Sequence, residues 1–290
     1  MSIMVRFWIV SGLCLAAPTL CYAQQIDPAP ETSQRAANDA WRLGLGVNYS
    51  TGDYDSLVGN TDVVSVPVSL RYRSGGFSIK VSVPYVHVNG PGSLLDTPQG
   101  GGAGEGGDDD NEGEDDDAPV VGVTPLTPAM QSRSGIGDVA VTAAYSFALG
   151  SNFYLDANSR VKLPTASVTK RLGSGELDYS AGLELGYDNG SLGYYISGRR
   201  RFIGNSPTTN RRDVWGLATG FSAAATPWLR LGGDYGWAQS TRATGGTISE
   251  VTGWASFRLS HAVRLQVYAA TGLTAASANF SSGAAATLRF

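Results

Sequence analysis

Phe280-Ser281-Ser282-Gly283-Ala284-Ala285-Ala286-Thr287-Leu288-Arg289-Phe290 alternates in register along its length. Phe280, Ser282, Ala284, Ala286, Leu288 and Phe290 fall on one phase, and Ser281, Gly283, Ala285, Thr287 and Arg289 on the other. Successive side chains of a strand point to opposite faces, so the run predicts a strand that finishes on an aromatic residue. Coupled with an export signal at the start of the sequence, it points to a bacterial outer-membrane β-barrel. The reason is physical: hydrocarbon satisfies no backbone polar group, so a sheet crosses a bilayer only by closing on itself. Function is thereby narrowed to transport, surface enzymology or adhesion.

Residues 1–23 read as a secretory signal peptide. Arg6 precedes the apolar run Phe7 to Ala17, Pro18 ends it, and Cys21-Tyr22-Ala23 offers a cleavage site after Ala23. The run is shorter than the roughly 20 apolar residues of a membrane-crossing helix, and Cys14 and Cys21 both follow leucine, which disfavours a lipoprotein anchor. Both cysteines lie within the signal, so the mature chain is expected to hold no thiolate ligand or cysteine nucleophile. That suits passage through an oxidising periplasm. Residues 24–40, polar and proline-bearing, are expected to form a loose periplasmic extension or a luminal plug. The mean hydropathy of −0.08 is uninformative, because barrels spread their apolar surface over alternate residues.

From Trp41 onward about twelve segments show period-two hydrophobicity over roughly ten residues, the length of a tilted membrane strand. The clearest sets Phe77, Ile79, Val81, Val83 and Tyr85 against Ser78, Lys80, Ser82 and Pro84. Connections alternate between short and long, as periplasmic turns and outer loops do. Short ones fall at Ser74-Gly75-Gly76, Leu149-Gly150-Ser151, Asp188-Asn189-Gly190-Ser191, Ala225-Thr226-Pro227 and Ser260-His261. Residues 88–134 make the longest outer loop, with a glycine tract and the acidic run Asp108 to Asp117. The predicted fold is all-β: an antiparallel transmembrane β-barrel of about 12 strands over residues 41–290. Aromatic residues sort toward the two ends of the strands, as interfacial girdles do. Arg200 falls on the lipid face, so it is expected near the outer interface or turned inward by a bulge.

With the apolar phase facing lipid, the other phase lines the lumen. It carries Arg42, Arg71, Lys80, Arg160, Arg199, Arg230, Arg258, Arg264 and Arg289, with Asp138, Asp156, Asp178 and Glu184 opposite. Basic residues thus dominate the interior of a chain whose net charge is −4. Such an arrangement sets a transverse field that selects and orients charged solutes. The competing reading is that these charges pair across the lumen as filler, or that those near the short turns meet lipid phosphates. Inward Trp254 and Tyr268, with Tyr195, either stack an aromatic solute or fill space.

The acidic run lacks the spacing of a calcium loop and reads as a solvated segment. Gly173-x-Gly175 has no following Lys-Ser/Thr, which disfavours phosphate binding. No metal, cofactor or nucleic-acid site is expected. Catalysis has few candidates, since the histidines are His87 and His261. His87 ends a strand near the outer rim, without a nucleophile motif beside it.

Two segments carry a resemblance. Gly135-Ile136-Gly137-Asp138 opens a strand ending Tyr145-Ser146-Phe147, and Lys162-Leu163-Pro164-Thr165-Ala166-Ser167 is followed by Leu172-Gly173-Ser174-Gly175-Glu176-Leu177-Asp178-Tyr179. Together they resemble the outer-membrane barrels named for the meta-pathway of phenol degradation, over about residues 41 to 290. The resemblance implies a transporter with no catalytic residues, associated with aromatic compounds; the acidic insertion departs from the pattern. The expected function is therefore a non-enzymatic channel for passive uptake of small organic solutes, aromatic acids among them. The alternatives are a lipid-active enzyme of the outer leaflet, or a structural or adhesive barrel whose acidic loop meets cations. Expected partners are outer-membrane lipids and lipopolysaccharide, the barrel-assembly machinery through Phe290, and the solutes themselves.

Overall fold

A computed structural model describes residues 40–53, 59–90, 131–204, 211–241 and 245–290. The signal segment, nearly all of the 24–40 extension, and residues 91–130 of the acidic loop lie outside the described residues. The described chain forms β1 (Ala40–Gly52), β2 (Thr61–Ser74), β3 (Phe77–Gly90), β4 (Gln131–Ile136), β5 (Val139–Ala148), β6 (Phe153–Leu163) and β7 (Asp178–Asp188). It continues with β8 (Leu192–Phe202), β9 (Val214–Thr226), β10 (Leu229–Gln239), β11 (Thr247–Arg258), β12 (Val263–Gly272) and β13 (Phe280–Arg289). β3 runs to Gly90 and β4 begins at Gln131, so both strands reach further into the 88–134 segment than the sequence pattern suggested.

β4 and β5 are one wall-crossing strand in two pieces. The first pairs with the outer half of β3, up to Tyr85↔Ile136, and the second with its inner half, from Ser82↔Ala140. Between those pairs Val83 and Pro84 face Gly137, Asp138 and Val139, so one extra residue is accommodated as a bulge. Pro84 offers no N–H there; its carbonyl still accepts from Gly137 N at 2.9 Å. Counted this way the wall has twelve strands, every pairing is antiparallel, and β1 pairs with both β2 and β13. Trp41 N donates to Phe290 O and Phe290 N to Trp41 O, each at 3.1 Å, closing the seam.

Strand alternation sorts the two faces. Outward positions are large and apolar, with Leu183 56 % and Ile196 61 % exposed; inward positions such as Asn48, Asp156 and Glu184 are buried. A soluble protein would not present a continuous apolar band of this extent to water. Rings pair on the short-turn side, Trp41 with Tyr72 at 4.9 Å and Phe153 with Tyr187 at 5.1 Å. On the long-loop side Tyr179 stacks on Phe202 at 4.7 Å. Trp228, in a tight turn where strand alternation cannot register it, adds to the inner belt against Phe257 at 6.4 Å.

Arg200 stays outward at the outer rim. Its guanidinium lies 5.2 Å from the Trp215 ring and 5.8 Å from Phe202, and pairs with Asp213 at 3.4 Å. Aromatic faces and a carboxylate at the interface replace the water that lipid would remove. In the β7–β8 turn, Gly190 alone takes positive φ, at 88°. Asn189 contributes its side-chain oxygen, which accepts from Ser191 N at 3.0 Å and Leu192 N at 2.8 Å.

Leu183, by contrast with Arg200, sits mid-strand among apolar neighbours. Leu183→Arg should destabilise the barrel in bilayers by about 2–4 kcal/mol. Urea unfolding in lipid vesicles reads this, and an unchanged midpoint would contradict the assignment of the outward face.

Candidate channel interior

Four consecutive strands place basic residues side by side at the short-turn end. The register aligns Arg289 with Arg42, Arg42 with Arg71, and Arg71 with Lys80. Arg42, Arg71 and Lys80 are buried from bulk solvent on the lumen face. They line a recess with Asn48, Ser69, Ser82 and Thr287. Small residues, Gly44, Gly46 and Ala285, floor it. Arg264 sits opposite Thr287 and Arg258 opposite Arg264, extending the row to β11. Arg258 is exposed and Arg264 and Arg289 are half-buried at this rim.

The facing wall, β6 to β11, is packed rather than recessed. Asp156 and Glu184 sit opposite one another, both almost fully buried. Tyr154 donates to Glu184 at 3.0 Å. Asp234 accepts from Tyr195 at 2.7 Å through one oxygen and from Trp254 Nε1 at 2.7 Å through the other. Arg199 donates to Asn158 at 3.1 Å. Arg160 faces the lumen between Thr142 and Ser180 on the neighbouring strands. Arg230 is held by the β7–β8 turn: it pairs with Asp188 at 3.4 Å and donates to Ser222 at 2.6 Å and Gly190 O at 2.7 Å.

The inward aromatics lie flat along the wall because each faces a glycine. Tyr154 is opposite Gly186, Tyr195 opposite Gly220, Trp254 opposite Gly232 and Tyr268 opposite Gly283. A Cβ on any of these glycines would collide with the facing ring. The rings therefore occupy wall volume instead of spanning the bore. Tyr268 also donates to Asn48 at 3.4 Å across the β1 side of the seam.

Asp138 and Asp178 belong to the outer mouth. Lys162 bridges them at 3.0 and 3.2 Å, and Arg201 meets Asp178 at 2.7 Å. Asp178 also accepts from Gly204 N at 3.1 Å, and Asp138 from Ala166 N at 3.0 Å. Burial, with Arg201 nearby, pushes the neighbouring Arg211 guanidinium down to about 10, still protonated at neutral pH. The carboxylates placed opposite the basic row thus divide by height. Asp138 and Asp178 are matched by cations at the mouth, and Asp156 and Glu184 stand deeper. The 164–177 loop that joins β6 to β7 folds into this mouth, carrying Leu172 and Ala166 onto Val63, Val86 and Val88.

No protein-family model and no curated protein matches this sequence. Solved structures do match. The COG4313 outer membrane channel from Pseudomonas putida F1 superposes with a TM-score of 0.61 at 14% identity, covering 88% of this chain and 97% of that one. A KdgM porin, solved in complex with disordered oligogalacturonate, gives 0.51 at 10% identity, covering 85% and 99%. The fold is that of outer-membrane channels. At these identities the likeness shows the architecture, and the chemistry has to come from the residues described above.

Outside the lumen, His87 points outward at the outer rim, with its Nε2 3.5 Å from Ser132 Oγ. That is looser than the roughly 2.6–3.2 Å of an activated nucleophile and base. Sequence reasoning had no partner for His87, because Ser132 lies 45 residues away and meets it through the β3–β4 pairing.

The ring–glycine pairs give a direct check. Gly232→Val forces Trp254 off its seat and away from Asp234, and should cost roughly 1–3 kcal/mol of stability. Gly253→Val adds the same bulk where a Cβ meets nothing within 4 Å, and should stay within about 0.5 kcal/mol of the parent. Equal effects in urea unfolding would contradict the packing described.

Proposed function

We propose that this protein is an outer-membrane channel for passive uptake of small organic anions, with aromatic acids among its solutes. One observation carries the reading: Arg42, Arg71 and Lys80 stand side by side on the lumen face and share one recess. Cations in a low-dielectric wall focus the field on a narrow polar path, which raises the local concentration of anions and lowers their barrier. The outward apolar belt and its aromatic rims favour a barrel seated in the outer membrane, with outer-membrane lipids and lipopolysaccharide around it. Phe290, at the closing seam, would be its contact with the barrel-assembly machinery. The two resembling segments favour the family named for the meta-pathway of phenol degradation, and with it aromatic solutes. On this reading the chain is a conduit, not an enzyme.

Arg42→Glu and Arg71→Glu should each move the reversal potential in planar bilayers toward cation preference and slow carboxylate permeation. The effect should shrink as salt shortens the screening length, which is about 10 Å at 0.1 M. Neutral solutes should pass almost unchanged. A conducting barrel whose selectivity ignores both changes would refute the basic recess as the selective element.

The Ser132–His87 contact, loose as it is, supplies the one observation behind a second reading, a lipid-active enzyme of the outer leaflet. A serine hydrolase needs that pair together with an orienting group and an oxyanion site. If the reading holds, purified protein hydrolyses phospholipid in mixed micelles and His87→Ala abolishes the activity; absence of hydrolysis by the parent protein discards it.

A further inference from the structure

Resting on the channel reading, we infer that Leu172 and the valines that seat it form the outer gate of the passage, and that the solutes favoured by this gate carry an apolar body beside their acid group. The lumen phase of β2 descends Val63, Ser65, Pro67, Ser69, Arg71, and that of β3 descends Val88, Val86, Pro84, Ser82, Lys80. The inward face of this wall is therefore valine at the mouth, serine and proline in the middle, and basic at the far end. Valines lining a wet bore would expose apolar surface to water. Here they are covered by Leu172, itself 1 % exposed, and by Ala166.

The loop that carries Leu172 is held in two different ways. Its root is fastened by directional bonds: Thr165 Oγ1 donates to Gly137 O at 3.1 Å and accepts from Val139 N at 2.9 Å, and Ala166 N donates to Asp138 at 3.0 Å. At the other root Asp178 is gripped by Lys162 and Arg201. The Leu172 side chain instead rests on non-directional apolar contact, flanked by two lysine bonds, Lys170 Nζ to Ser134 O at 3.3 Å and Lys162 Nζ to Ser174 Oγ at 3.1 Å. Around it the chain turns through positive φ at Arg171, 52°, and Gly175, 71°, and closes on itself through Leu172 N to Ser167 O at 3.0 Å. In the proposed gate the root holds while the tip leaves its seat, giving up the apolar contacts of Leu172 and the bond from Lys170 to Ser134 O.

A ligand shifts such an equilibrium only by binding one state better than the other. A small hydrophilic anion gains nothing from bare valines. A solute with an apolar group replaces the contacts that Leu172 gives up, and the same two strands then lead its acid group down to Arg71 and Lys80. Leu172 is thus a specificity-determining residue rather than an inert plug.

The test measures permeation of acetate and benzoate through the full chain reconstituted in liposomes. Leu172→Ser should raise acetate permeation several-fold and benzoate permeation less, so that the benzoate-to-acetate ratio falls. Leu172 packs on the wall at Gly135, so the tip is pinned there in the double variant Gly135→Cys/Leu172→Cys once a thiol-specific bifunctional crosslinker that is cleaved by reductant has joined the two cysteines. The crosslinked pair should lose most permeation of both anions and regain it when reductant cleaves the link. Unchanged permeation in Leu172→Ser, or full permeation through the crosslinked pair, overturns the gate and leaves the channel standing. An equal rise for both anions overturns the apolar preference. No permeation in any variant overturns the channel reading, and the gate with it.

Discussion

Everything in this molecule depends on the backbone finding its hydrogen-bond partners inside the sheet. An apolar outer face surrounded by hydrocarbon offers no alternative acceptor or donor, and an open edge would leave a whole row of groups unsatisfied. The seam between Trp41 and Phe290 removes that edge. The one extra residue between β4 and β5 falls where Pro84 has no N–H to contribute, so the ladder gives way where it has least to lose.

Closure also fixes what the interior can be. Burying polar groups is costly unless they are partnered, and in the wall from β6 to β11 Glu184, Asp234 and Asn158 are met by tyrosine, tryptophan and arginine groups. The wall around the seam is different in kind: its middle is floored by glycine, serine and alanine, and its short-turn end carries the basic row. The two walls accordingly differ among the described residues, bonded polar and aromatic groups on one and a small-residue recess on the other. Lys162 and Arg201 engage the carboxylates of the mouth, and Arg42, Arg71 and Lys80 line one recess at the opposite end.

Much of this was legible in sequence because a strand's two faces are written on alternate residues. Outward belts, short and long connections, and the inward placement of Arg42, Asp156 or Trp254 all follow from phase alone. The inward fold of residues 164–177 does not. A polar, glycine-bearing stretch looks like any outer loop, and only one of its leucines enters the lumen. A signal was nonetheless present: Val63, Val86 and Val88 are apolar on the phase that is polar elsewhere, and an apolar patch on a wet face calls for a cover. Which cations share one recess, and which are taken up by turns as Arg230 is, depends on the lateral order of strands and side-chain reach, and these are not local properties of the chain.

The four ring–glycine pairs have a consequence for how the strands find their alignment. They fall between β6 and β7, β8 and β9, β10 and β11, and β12 and β13. These are hairpins closed by the longer connections, where the link itself tolerates several alignments; the tight turns on the other side dictate theirs. Sliding Trp254 two residues from Gly232, which preserves its face, brings it against Arg230 or Asp234; sliding Tyr154 from Gly186 brings it against Glu184 or Asp188. For these two rings only one notch fits; Tyr195 and Tyr268, whose shifted partners are Ala218 or Ser222 and Ser281 or Ala285, are less tightly keyed. Gly186 and Gly232, which let the rings lie along the wall, thus also act as keys to the alignment of two hairpins whose loops leave it open.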